Sequence, residues 1–168
     1  MFTLRCTSRL LKRLKVEPQA VAPASTTTLG DWHGNLVHVG RQQLVLAVAD
    51  KALLPLLVTA APIATLVPRL RVGLAHMLGM LGVPREAIER EDAAMREVVY
   101  GKATSRQVLG ILVDFAKLLP TFLGDGDSLL GASLRLARTP CSPLYKTSTS
   151  PDRATAALFG VRLVRVVD

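Results

Sequence analysis

Leu36-Val37-His38-Val39-Gly40-Arg41-Gln42-Gln43-Leu44-Val45-Leu46-Ala47-Val48 decides the fold class of this chain. Two short runs rich in leucine and valine flank a connection that opens on a glycine, the pattern of a β-hairpin. An antiparallel pair is therefore expected over residues 36–39 and 44–48. Immediately before it, Gly30-Asp31-Trp32-His33-Gly34-Asn35 reads as a turn, since Asp and Asn bond their own backbone and glycine tolerates positive φ. After it, residues 53–58 either add a third strand or begin a helix. Pro55 has no N–H to give a ladder, so such a strand belongs at an edge.

Further out, Phe2, Leu4 and Cys6 alternate with Thr3, Arg5 and Thr7, the period of a half-buried strand. Ser8 offers an N-cap, and Leu10, Leu11 and Leu14 share one helical face while Arg9, Lys12, Arg13 and Lys15 occupy the rest. Residues 19–28, rich in Ala, Pro, Ser and Thr, form a connection. Helices are expected at about 63–81, at 85–99 after Pro84, and at 105–119 before Pro120, then at 129–136 and 152–159. Residues 161–167 are a last strand or a tail. The expected class is α+β: a small antiparallel sheet packed against about four to five helices, in a single domain over 1–168 with 160–168 as a possible tail or added strand.

At 168 residues, with 49% hydrophobic and 20% charged side chains, the chain has ample material for one core. The apolar stretch 52–67 is shorter than the ~20 residues a bilayer span needs and contains Pro55 and Pro62, so it reads as buried strand plus helix start, with no membrane partner. Basic residues and few acids in the first 28 positions resemble a transit peptide, whereas no apolar run suited to a secretory signal follows them. Cys6 and Cys141 form neither a disulfide framework nor a Cys-x-x-Cys pair, which points to a reduced, cytoplasmic compartment and leaves a single bridge between them open.

Several segments together resemble a bacterial family of small proteins catalogued as a domain of unknown function. They are Arg5-Cys6-Thr7 with Leu10-Leu11, Gly30-Asp31-Trp32 with Asn35-Leu36, Ser105-Arg106 with Val108-Leu109-Gly110 and Asp114, and Pro140-Cys141-Ser142-Pro143-Leu144. The resemblance implies that residues 4–15 belong to the folded domain, and it implies no activity. The chain departs from the pattern at Asp50-Lys51, where Asn-Asp or Asn-Glu is expected.

Two functional readings follow from the residues. A net charge of +8 and a pI near 10.2 favour anionic partners. Arg9, Lys12, Arg13 and Lys15 on one short helix, with Arg106 at another helix start, are the candidate anion- or nucleic-acid-binding residues. The leading reading is a non-enzymatic binding module for nucleic acid or an acidic protein, although an aromatic content of 4% leaves few rings for stacking on bases. The alternative is a small hydrolase-like enzyme whose catalytic residues are Asp31, His33 and Asn35, an acid, an imidazole and an amide crowded into one turn. The same three residues also suit a purely structural corner. His38 and His76 sit in a strand and an apolar helix, too scattered for zinc, so no metal is expected. Phosphate-cradling glycine loops and a Gly-x-Ser-x-Gly elbow are absent, so neither a nucleotide cofactor nor a serine nucleophile is expected.

Overall fold

The computed structural model describes residues 1–163. β1 (Phe2–Cys6) leads to α1 (Ser8–Leu14), and a long connection reaches the meander β2 (Trp32–Val39), β3 (Gln42–Ala49) and β4 (Pro55–Thr59). Then come α2 (Leu66–Met80), α3 (Arg85–Ala94), β5 (Val98–Lys102), α4 (Arg106–Gly124), α5 (Leu129–Ala137) and α6 (Pro151–Leu158). The sheet order is β4-β3-β2-β1-β5.

The class is α+β, as the sequence implies, but the sheet is mixed. Antiparallel pairing holds for β2–β3 and β3–β4, whereas β1 runs parallel to both β2 and β5. The helical stretch expected at 85–99 ends at Ala94, and Val98-Val99-Tyr100 supplies the edge strand β5 instead. Those β-branched and aromatic residues fit a pleated surface better than a helix. Pro55 does stand first on an edge strand, whose free Leu57 N–H is met by the Ser133 hydroxyl at 3.0 Å. Residues 161–163 have no regular secondary structure, and the rest of the run expected as a last strand or tail lies outside the described residues.

Most of the expected turn at 30–35 is strand. Trp32 already pairs with Leu4 of β1 and Ala49 of β3, so the bend ends at Asp31. Gly34 lies in the ladder because α1 crosses the sheet there: a Cβ on it would sit 2.9 Å from Leu10 Cδ2. That close approach fixes α1 on the face carrying Leu4, Gly34 and Val45. α2 joins it on that face, with Gly73 against Leu56. α4 packs on β2 and β3 from the other side, where Val37, Leu44 and Leu46 are buried.

α4 passes through Pro120 and ends at Gly124, beyond the expected stop. Leu119, Phe122 and Leu123, at helical spacing, pack on the core and carry the helix past the missing N–H. By length and composition α4 is also apolar enough to cross a membrane. Its Val108, Ile111, Leu112, Phe115 and Leu119 are buried. The stretch 52–67 is indeed the buried strand β4 and a helix start.

Candidate anion-binding cleft

β1 alternates as its sequence requires, Phe2, Leu4 and Cys6 on the α1 face and Thr3 and Arg5 on the other. On that second face Arg5 lies beside His33 of β2 and Gly101 of β5. Its Nε donates to Asp31 Oδ2 at 2.8 Å, and the other carboxylate oxygen accepts a short hydrogen bond from the Ser25 hydroxyl. Arg5 and Asp31 are 25% and 16% exposed, so this charge-assisted contact is only partly screened.

The connection before β2 is tied down by a residue that sequence reasoning passed over. Glu91 of α3, 2% exposed, accepts from the backbone N–H of Thr28 at 2.8 Å and of Leu29 at 3.2 Å. Gly30 then turns with φ +81°, and a Cβ there would collide with Asp50 Oδ1. Asp31 is thereby aimed at Arg5 by packing, hydrogen bonds and a glycine.

The proposed catalytic residues are close in space but differently employed. Asp31 is engaged by Arg5 and Ser25. The side-chain Oδ1 of Asn35 accepts from the Thr7 hydroxyl at 2.6 Å. His33 is 2% exposed, and neither ring nitrogen has a hydrogen-bond partner among the described residues. Burial, and then the Arg5 charge, push its pKa down to about 4 against the opposing pull of Asp31. The ring is neutral at physiological pH and sealed from solvent.

Both thiols are free and buried; burial pushes Cys6 up to about 12 and Cys141 up to about 11, so neither is a thiolate at neutral pH. Among the described residues no three His, Cys, Asp or Glu side chains gather around one point.

Arg5 also borders an open cleft of about 870 Å³ beyond the carboxyl ends of β1 and β5. One wall is the α1 line Ser8, Leu11, Lys12 and Lys15, residues that share a helical face by their spacing of three and four. The second is the connection from Val16 to Ala20, held to the outer edge of β5 by Gln19 N–H on Tyr100 O at 2.8 Å. Lys102 and Thr104, where β5 passes into α4, complete it.

The expected basic set is therefore split by the helix. Lys12 and Lys15 face the cleft, whereas Arg9 Nη2 lies 3.5 Å from His38 Nδ1 and Arg13 Nε 3.5 Å from Gln43 Oε1, over the β2–β3 hairpin. Arg106 is exposed on the first turn of α4, outside the lining. Arg5 and Lys102 take the places not foreseen. Arg5 was visible as the charged residue on the outward phase of a strand; Lys102 falls between the helices expected at 85–99 and 105–119, where no element is expected from the sequence.

Four cations and one carboxylate, Glu17, line this cleft. None of Lys12, Lys15 and Lys102 forms an ion pair among the described residues. Searches of curated proteins and of solved structures returned no match to the chain. The profile of a domain of unknown function matches residues 3–154, a span that holds the whole cleft and all five strands except Phe2 at the start of β1. The chain therefore belongs to the family of the domain of unknown function DUF6933.

Proposed function

We propose that this protein is a non-enzymatic binding module that takes an anionic partner at the cleft beyond β1 and β5. The observation that carries this reading is the convergence of Lys12, Lys15 and Lys102, all without ion pairs among the described residues, around the half-buried Arg5. Like charges held together raise the local potential and favour a neutralising ligand. The hydrolase-like alternative finds less support, because Asp31 and Asn35 are occupied and His33 has no path to solvent.

Retention on phosphocellulose as salt is raised tests the reading. Lys12→Glu, Lys15→Glu and Lys102→Glu together abolish retention, whereas Arg9→Glu with Arg13→Glu, which reverses as much charge per residue over the hairpin, weakens it less. Equal loss in both variants would mean that net charge alone drives binding, and the cleft assignment would fall.

A further inference from the structure

The cleft lies where the chain topology itself opens one. β1 and β5 are neighbours and run parallel, yet the helices that follow them part: α1 covers the Gly34 face, and α4 packs against β2 and β3 from the other side. Parallel strands whose following elements diverge in this way leave a crevice beyond their carboxyl ends, the place where open sheets hold ligands.

We propose that this crevice holds a small organic molecule carrying two or more phosphate-type charges, an inference that rests on the anion-binding reading above and narrows it. Its volume, about 870 Å³, lies within the range of sites that enclose small ligands. Asp31 occupies only Nε of Arg5, so both terminal amino groups of the guanidinium remain without hydrogen bonds among the described residues. They form the rigid fork that suits phosphate oxygens, while Lys12, Lys15 and Lys102 act as point charges around it. Ser8 and Thr104 add hydroxyl donors, and Leu11 and Val16 supply apolar surface for an organic body.

Macromolecular anions fit less well. No aromatic ring lines the crevice, so single-stranded nucleic acid would have no platform on which to stack its bases. A folded acidic protein presents a convex surface, and the concave cleft between α1 and the 16–20 connection admits little of one.

Isothermal titration of the full chain at low salt with inorganic tripolyphosphate, a single-stranded oligonucleotide and polyglutamate separates these sources of negative charge. Saturable 1:1 binding of tripolyphosphate, weakened about tenfold or more by Arg5→Gln and by Lys12→Gln with Lys102→Gln, is the expected result. The lysines are exposed, so the lysine variant stays informative if Arg5→Gln lowers the melting temperature. Tripolyphosphate that fails to bind, while the oligonucleotide or polyglutamate binds and loses affinity in the lysine variant, overturns the small-ligand inference and leaves the anion-binding reading standing. Failure of all three probes overturns both. Tripolyphosphate bound equally by wild type and lysine variant also overturns the inference, by placing its site elsewhere.

Discussion

Arg5 stands between two regions that treat charge in opposite ways. On its inner side, Nε, the Asp31 carboxylate and the Ser25 hydroxyl close on one another beside the buried ring of His33. On its outer side, the cleft leaves Lys12, Lys15 and Lys102 facing one another with only Glu17 among them. Cations are paired elsewhere too: Arg71 of α2 meets Asp92 of α3 through two contacts of 2.9 Å, and Arg135 reaches Asp125 and Asp127 while lying 4.0 Å over Phe122. Neutralising partners are thus built where charge holds elements together. Other cations, Arg41, Arg90 and Lys117 for instance, also form no ion pair among the described residues, and what sets the cleft apart is that three such lysines share one concavity with Arg5.

Substitutions and pH should separate the two regions, with the largest effects on the sealed side. His33 has a folded pKa of about 4 against an unfolded value of ~6.5, so the unfolded chain binds its proton first as pH falls. Its contribution is complete above that unfolded value and is lost between about pH 6.5 and about 4, by roughly 3 kcal/mol. Urea denaturation at pH 7 and pH 4.5 measures this loss, and His33→Phe flattens it; an unchanged slope in that variant would assign the pH dependence to other groups.

Glu91→Ala strands two backbone donors beneath Gly30 and costs about 2–3 kcal/mol in urea denaturation. Glu91→Gln keeps a carbonyl acceptor and costs less. Breaking the more exposed Arg71–Asp92 clamp with Arg71→Ala costs about 1 kcal/mol, read as a drop of about 2–4 °C in Tm. At the cleft the effect is smallest. Lys12→Gln with Lys15→Gln and Lys102→Gln moves Tm by less than about 2 °C, because it removes repulsion and no partner. A substantial fall in Tm there would show that the lysines are structural after all and dissolve the contrast.

The hairpin, the alternating first strand, the edge position of Pro55 and most helices could be read from periodicity and turn residues, which depend on neighbours in the chain. β5 could not, because a short apolar run after a helical pattern carries no mark of its state until β1 pairs with it. For the same reason the segment around Asp31 and His33 looked like one polar cluster, while pairing with β1 and β3 draws Trp32 and its successors into a strand. Of the candidate basic residues, Lys12 and Lys15 were found through their helix. Arg5 and Lys102 joined them only when two strands distant in sequence came to lie side by side.

The sequence by itself determined the α+β class, the amphipathic α1 and the excess of positive charge, all consequences of local periodicity and composition. Tertiary structure alone decided which of those charges share a cleft and which residues near Asp31 are sealed. Parallel pairing of β1 with β5 and divergence of α1 and α4 are long-range events, and no local pattern encodes where such crevices open.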